Sequence, residues 1–559
     1  MKHCLNRPEP EIMTSPPSHK LVLAFPPFAM ATSPPLGICA LKGYLQKKVA
    51  TWSVQTIDLN LSAQEEILNA MLRGGALDNQ TFPEGILAEI GLARALETFR
   101  GAHPQDFFDR PDRYSAYADL FLRFYATASS SGLSLEKAYR EEIPMPPLLQ
   151  QQAARICALN PNMIGISLCY SQQVWWAICL GKILKEMTKV PVIFGGSFFV
   201  NEAERFLTEH QDACDGVVTG EGEHALAALL LDSSHPENVP GFSFIRDGAI
   251  ISNPPSFEKD LDVLGAPDYS DLNLNAYFSP VPVVPILSSR GCYWRRCAFC
   301  VHYRSAGMTY RLRSIEAITT ELRSYVDAGI SHFAFVDEMI SPTLFKRLAD
   351  GIIEKGLNIS YYALAKPVRQ FSQTLLQKIA TSGCHYLLWG VESGNQRILD
   401  LMDKGTKVQD VSTVLNSAYA AGIRNHVYII AGFPSETREE FLDTLRFLED
   451  HRHAIDAVHR GTFTLASGSP IFDNPERFQI KIGSQRGDWR TRSSYNYECA
   501  VGLTGEEAQQ LFVQALPFLR GFNPFSRYMG NFRDHALLIY ERHGQKLAKH
   551  RSPANAAIK

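Results

Sequence analysis

The chain has 559 residues, with 55 Lys and Arg against 58 Asp and Glu, a net charge of -3 and 45% hydrophobic residues. That length predicts several domains, each with a sizeable core. Near-neutrality excludes a protein that grips nucleic acid by neutralising phosphates, and eleven cysteines in so long a chain exclude a disulfide framework. Residues 1–19 are polar and proline-containing, without the pattern of a signal peptide. No apolar run reaches the length of a membrane span, so a cytoplasmic protein is expected.

In the first third, short apolar strands alternate with helical stretches. Strands are predicted at Leu21–Phe25, Val54–Asp58, Met163–Ser167, Val190–Gly195 and Gly216–Thr219. Their near-continuous apolar character suits strands covered on both faces. Five such strands predict a doubly wound sheet of flavodoxin-like order, whose ligands bind at the carboxyl ends of the strands. Those ends carry Ser167, then Gly195-Gly196-Ser197, then Thr219-Gly220-Glu221-Gly222-Glu223. Glycines there let a large ligand approach the backbone, although ordinary strand-to-helix turns favour them too.

These segments resemble the cobalamin-binding domain of B12-dependent radical enzymes. The resemblance implies that Ser167, Gly195, Gly196, Ser197, Thr219, Gly220, Glu221 and Gly222 contact cobalamin. The Asp-x-His-x-x-Gly motif that supplies a histidine to cobalt in many such domains does not occur. No histidine lower ligand is therefore expected, as in the radical methylase branch.

Residues 61–160 interrupt the sheet with a helical, aromatic-rich insertion, exemplified by Tyr114 to Tyr125. Packing and substrate capture both account for it. Phe242 to Ile251 predicts a hairpin turning at Asp247-Gly248. A proline-bearing linker follows, with Pro267-Asp268-Tyr269-Ser270 resembling the linker of the same family.

From Val283 the pattern becomes strand then helix, six times over. Strands are predicted at Val283–Ser288, Phe333–Asp337, Ile359–Ala365, Tyr386–Val391, Val427–Ala431 and Val458–Leu465. Gly329, Gly356, Gly383 and Gly422 precede strands as left-handed helix caps should. Six units predict an incomplete barrel, with its site at the carboxyl ends of the strands.

The loop after the first of these strands carries Cys292, Cys297 and Cys300, with no fourth cysteine nearby. A structural zinc site closes with four ligands. A cubane iron–sulfur cluster held by three thiolates keeps one iron open for a substrate or cofactor. A broken zinc knuckle, or three unrelated thiols, would present the same residues. Asp337-Glu338, Lys366-Pro367, Glu392-Ser393-Gly394 and Gly432-Phe433-Pro434 end the next four strands.

This layout resembles the radical S-adenosylmethionine (SAM) superfamily, specifically its cobalamin-binding branch. Gly390 to Gly405 and Ile429 to Thr437 match that branch closely. The resemblance spans about residues 20–480. One departure stands out: four residues separate Cys292 from Cys297 where three are usual, and the loop is expected to bulge there.

By that resemblance, Cys292, Cys297 and Cys300 hold a [4Fe–4S] cluster whose open iron binds SAM. Phe299 packs against adenine, and core filling is its other reading. One of Asp337 and Glu338 contacts SAM, where a helix-capping pair is the alternative. Glu392 and Ser393 contact ribose and methionine, and Gly432 and Pro434 let adenine lie against backbone. Arg290 and His302 flank the loop and could tune the cluster or contact SAM, with a plain surface or packing histidine the other reading of His302. Cys384 and Cys499 are expected to be inert.

The implied division is a Rossmann-like domain (1–255) with its insertion (61–160), a linker (256–282), a partial (βα)6 TIM-type barrel (283–478) and a small C-terminal region (479–559) that helps choose the substrate. Residues from about Lys549 are expected to be disordered. The implied activity is C-methylation of a peptide or natural-product precursor. A 5′-deoxyadenosyl radical abstracts hydrogen, methylcobalamin delivers the methyl group, and a reductant such as flavodoxin or ferredoxin supplies electrons. Non-methylating cyclisation, rearrangement or oxidation is the second reading, and a non-catalytic cobalamin-binding regulator the third.

Overall fold

The computed structural model describes residues 17–72, 91–200, 202–486, 494–523 and 525–544. Parts of the 61–160 insertion, of the C-terminal region and the whole stretch from Lys549 lie outside the described residues.

The first sheet comprises β1 (His19–Phe25), β2 (Trp52–Asp58), β3 (Met163–Ser167), β4 (Val192–Gly195) and β5 (Gly216–Val218), followed by β6 (Phe242–Arg246) and β7 (Ala249–Ser252). Their order is β2-β1-β3-β4-β5-β6-β7. The first five are parallel, the flavodoxin-like order expected. The hairpin does not stand after the sheet; β6 joins β5 antiparallel and β7 forms the edge. Asp247 (φ 52°) and Gly248 (φ 76°) turn it, both in the left-handed region that a two-residue hairpin turn requires.

The second sheet is built from β8 (Val283–Ile286), and, beyond the short pair β9 (Ser289–Arg290) and β10 (Arg311–Leu312), from β11 (His332–Phe335), β12 (Ser360–Ala365), β13 (Cys384–Glu392), β14 (Arg424–Ala431) and β15 (Ala457–Thr462). Its order, β15-β14-β13-β12-β11-β8, is parallel throughout and is that of a six-stranded open barrel. Ser314, Ser341, Ser372, Asn395 and Thr437 each cap the helix that follows by accepting from a backbone N–H. The glycines at 329, 356, 383 and 422 all have positive φ, as helix-terminating glycines should.

The predicted strand Val458–Leu465 is divided. β15 stops at Thr462, because Phe463 turns into an apolar cluster with Phe433, ring centroids 5.3 Å apart. Leu465–Ala466 (β16) then pairs with β18 (Ser494–Cys499) in a three-stranded sheet with β17 (Ile480–Gln485).

The two domains share packing. Lys42, in the helix after β1, reaches linker residues Asp271 at 2.8 Å and Asp268 at 3.4 Å. Tyr269 donates to the Pro285 carbonyl at 3.2 Å. The C-terminal helix Arg533–His543 lies against β12 and β13 on the concave side of the barrel. Tyr386 donates to the Arg533 carbonyl at 2.8 Å and Tyr362 to the Asp534 carboxylate at 3.0 Å. The insertion's aromatic residues pack on that helix. The Phe99 and Phe107 rings stand 4.7 and 5.0 Å from His535, and Tyr114 Oη and His535 Nδ1 are 3.3 Å apart.

Candidate functional site

The carboxyl ends of both sheets face one another across an interior space. A crevice of about 480 Å³ is walled on one side by Ser167, Gly195, Gly196, Ser197, Gly220, Glu221 and Gly222, and on the other by Ser289, Arg290, Gly291 and Glu338. It meets a larger cavity of about 1190 Å³ at Cys169, Ser197 and Ser305, and His302 lines that cavity.

Seven of the eight residues expected at cobalamin thus line one crevice. Thr219 does not; its hydroxyl donates to the Gly241 carbonyl at 3.1 Å and ties the strand to β6. Gly196 is required by the chain itself. Its φ is 108°, and a Cβ there would fall 2.2 Å from the Leu168 carbonyl oxygen.

The carboxylates of the Gly220-Glu221-Gly222-Glu223 segment are spent between the domains. Arg311 donates to Glu221 at 2.7 and 3.0 Å, and Arg290 pairs with Glu221 at 3.0 Å and with Glu223 at 2.5 Å. All four side chains are largely buried, so each charge depends on the others. Burial raises the Glu221 carboxyl, but the arginines outweigh it and the net position is low. Arg290 is therefore a bridge to the Rossmann domain, not a group left to tune a cluster, and Glu221 offers the crevice a neutralised pair.

Asp337 is likewise committed. Fully buried, it accepts from the Ser288 amide (3.1 and 3.2 Å), the Ser288 hydroxyl (2.8 Å) and the Ser289 hydroxyl (2.5 Å). It fixes the entrance to the cysteine loop, chiefly through Oδ1, which accepts from three donors. Its neighbour Glu338 does face the crevice. Burial pushes that carboxyl up to about 7, and its Oε2 has no protein hydrogen-bond partner.

The cysteine loop is held from the segment Gly390 to Gly405. Ala298 N–H donates to the Met402 carbonyl (2.8 Å), and Trp294 Nε1 donates to the Asp403 carbonyl (2.7 Å). Arg295 takes φ 56° in the long gap, so the extra residue is absorbed as a left-handed turn. The described cysteines are all free. Burial raises the Cys297 and Cys300 thiols, and each feels the charge of its neighbours in the loop. Among the described residues no three His, Cys, Asp or Glu side chains converge as ligands of a single ion. A cubane asks each thiolate to bind a different iron, so convergence on one point is not its signature.

Two buried lysines flank the thiols. Lys404 donates to Glu392 at 2.8 Å, and both are nearly inaccessible. Glu392 sits at a bulge of β13 with φ 67°, which re-aims its side chain; a Cβ on Gly390 would stand 2.7 Å from both ends of the ion pair. Lys366 is 1% exposed, with Nζ 3.2 Å from the Trp294 ring centroid and no hydrogen-bond partner among the described residues. Burial and then Lys404 bring that ammonium down to about 7, while Cys297 and Cys292 act the other way. A buried cation without an anion is costly. A loop that gains negative charge on loading would relieve it, and a cluster bound by three thiolates and sulfide is anionic. The residues therefore fit an iron–sulfur cluster better than unligated thiols.

The other expected contacts divide in the same way. Ser393 Oγ is taken by Thr444 Oγ1 (3.1 Å) and the Asn395 amide (3.1 Å), holding the turn after β13. Gly432 N–H donates to Glu436 Oε2 at 2.6 Å, while Oε1 of this buried glutamate stays unpartnered and burial pushes it up to about 8. Pro434 is buried. Phe299 packs on the apolar cluster of Ala298, Ile398, Met402 and Phe433, with Lys404 Nζ 6.0 Å from its ring. Cys384 is buried, and Cys499 donates to the Val501 carbonyl at 3.1 Å. Lys366, Lys404 and Glu436 were present in segments read from sequence, but spacing alone gave them no role.

Comparison with known proteins agrees with this geometry. Residues 286–448 match the model of the Radical SAM superfamily, and residues 141–230 that of the B12 binding domain. The uncharacterized methyltransferase PH0819 of Pyrococcus horikoshii is 30% identical over 323 residues, covering 56% of this chain and 68% of that protein. The bacteriochlorophyllide d C-12(1)-methyltransferase of Chlorobaculum tepidum is 27% identical, covering 54% and 63%. The cobalamin-dependent S-adenosylmethionine radical enzyme OxsB, solved with aqua-cobalamin and S-adenosylmethionine bound, superposes with TM-score 0.61 at 15% identity, covering 94% of this chain and 73% of that one. The chain thus spans about two thirds of the length of these curated relatives.

The fold and its thiol loop define a radical SAM enzyme. More particularly, the chain belongs to the cobalamin-binding branch of that superfamily, with methyltransferases among its relatives. Its cofactors are S-adenosylmethionine with a [4Fe–4S] cluster, and cobalamin. No described helix is long and apolar enough to cross a membrane.

Proposed function

We propose that this protein is a methyltransferase that methylates an unactivated carbon of a peptide or natural-product precursor. One observation carries the reading: the crevice at the ends of the Rossmann strands shares its walls with the strand and loop that carry the three cysteines. Two cofactors and a substrate can then meet without leaving the interior.

In this reading Cys292, Cys297 and Cys300 hold the cluster, and the glycine- and serine-lined wall from Ser167 to Gly222 holds cobalamin. When bound, the cluster supplies the electron that cleaves SAM, and cobalamin supplies a transferable methyl group. The protein's own residues do the positioning. Glu392 and Lys404, paired with each other beside the thiols, would fix the end of β13 against which the methionine part of SAM lies. Glu338 offers a hydrogen-bonding oxygen to the crevice, and Glu436 orients the Gly432 backbone. Phe299 and Pro434 give an apolar wall against which adenine can lie. The division into domains at 255/256, 282/283 and 478/479 belongs to this proposal, as does a peptide or small-molecule substrate, a flavodoxin- or ferredoxin-type reductant and a cytoplasmic setting.

Anaerobic reconstitution with iron, sulfide, cobalamin and SAM tests the reading. Methylation by this route yields S-adenosylhomocysteine together with 5′-deoxyadenosine in the presence of substrate. Turnover that produces 5′-deoxyadenosine with no matching S-adenosylhomocysteine would replace it with a non-methylating radical reaction.

A further inference from the structure

The concave face of the barrel is lined by polar rings, most of them already partnered. His426 is paired through Nε2 with Tyr540 Oη (2.7 Å) and through Nδ1 with His459 Nε2 (3.1 Å). Tyr386 and Tyr362 donate to the C-terminal helix, as described above. Asp534 also accepts from the Thr32 hydroxyl at 2.6 Å, so its carboxylate is occupied by hydroxyls of two domains.

Two donors in this lining are left over. The Tyr428 hydroxyl is buried with no hydrogen-bond partner. The half-buried Arg533 guanidinium lies over the Tyr428 ring, 5.9 Å from its centroid, and among the described residues no carboxylate stands within ion-pair distance of it. The position of this pair is informative. Tyr428 stands on β14 opposite Gly390 of β13, two residues before Glu392. Asp534, next to Arg533, accepts from Thr32 in the segment between β1 and the helix that follows it. The pair therefore stands inside the barrel, with Glu392 on one side and the Rossmann domain on the other. A buried donor without an acceptor is destabilising, and a guanidinium's fork matches carboxylate or phosphate oxygens.

We propose that Arg533 and Tyr428 form an anion subsite, and that the substrate carries a carboxylate or phosphate group which they grip. This rests on the function proposed above, whose site it deepens. Arg533 supplies paired N–H donors and the charge, while Tyr428 supplies one neutral O–H donor. Neither residue takes part in bond breaking. Their role is to fix the substrate so that one carbon faces the interior.

The test uses the reconstituted holoenzyme, with cluster and cobalamin loading measured on the same sample by iron analysis and absorbance. Inorganic phosphate and acetate are titrated separately and followed by phosphorus and carbon NMR line broadening. Saturable binding is expected for at least one of them. Arg533→Gln should weaken it about tenfold or more, as loss of a charge-assisted contact implies. Arg533→Lys should retain part of it, and Tyr428→Phe should weaken it by about threefold. Preference for phosphate identifies a phosphorylated substrate, and preference for acetate a carboxylated one. Loaded wild-type enzyme that binds neither anion, or binds both as well after Arg533→Gln and Tyr428→Phe, overturns the subsite and leaves the proposed function standing. Failure of cluster and cobalamin to load would instead remove the proposed function.

Discussion

On the Rossmann side of the interior, Glu221 and Glu223 are closed off by Arg290 and Arg311. On the barrel side, Lys366 is buried beside the cysteine loop against the Trp294 ring, with no hydrogen-bond partner or paired anion among the described residues. Both regions are rich in charge and both drew attention as motifs. They differ in whether the charge is spent. Saturated ion pairs hold the two domains in register, whereas groups left unpaired at the cost of burial mark where a ligand is expected. By that test we propose Lys366, Glu338 and Glu436 as ligand-facing, whereas Asp337, Ser393 and Thr219 are already engaged within the protein.

The largest effect should come from the thiols. Cys297→Ala removes one of three cluster ligands, and reductive SAM cleavage should fall below detection with loss of iron and sulfide from the anaerobically reconstituted protein. Retention of a full iron and sulfide complement would refute the ligand set.

The clamp offers the contrasting case. Glu221→Ala leaves Arg311 and Arg290 buried with one carboxylate fewer, and should cost about 3–5 kcal/mol in denaturant unfolding. The sign with pH follows from the lowered carboxyl. Its contribution is present above the unfolded value of 4.5 and is lost as pH falls through the lower folded value. Acid unfolding of the variant should therefore be less steep than that of the wild type. A variant as stable as wild type would mean that the interface does not depend on this pair.

Lys366→Met sharpens the comparison because its two effects oppose. In the cofactor-free chain it removes an unpaired buried ammonium, and stability should rise by about 1–3 kcal/mol. In the loaded protein it removes a countercharge, so iron and sulfide should be lost faster under chelator. A drop in apo stability, measured by thermal unfolding, would show that the ammonium is paired in solution.

How much of this was legible beforehand follows the same division. The two sheets were readable because their strands are continuous apolar runs punctuated by glycine, and even the flavodoxin-like order was expected. The cysteine triad was readable from local spacing, and in its longer first gap Arg295 takes a left-handed conformation. What spacing could not show was which of two adjacent acids is spent. Asp337 and Glu338 look alike in sequence. They separate only when Ser288 and Ser289, nearly fifty residues earlier, close on one of them. Arg533 was hidden for the same reason: it lies over a hundred residues from Tyr428, and only the return of the C-terminal helix into the barrel brings the two together.

The smallest predicted effect tests that separation of Asp337 from Glu338. Burial holds the Glu338 carboxyl up at about 7 against 4.5 when unfolded. For an acid raised on folding, the contribution is complete below 4.5 and is lost as pH rises through about 7. Cofactor-free protein should thus lose stability across that window, by on the order of 1 kcal/mol once solvent access at the crevice is allowed for. Glu338→Gln should flatten the loss, because the amide carries no charge to desolvate. Asp337→Asn should not flatten it. It replaces one accepting oxygen, which takes one or three of the four contacts, with an amide nitrogen that can only donate, and should lower stability at every pH. Urea unfolding of the three proteins between pH 5 and pH 8 reads the difference, and parallel curves for wild type and Glu338→Gln would return Glu338 to the framework with its neighbour.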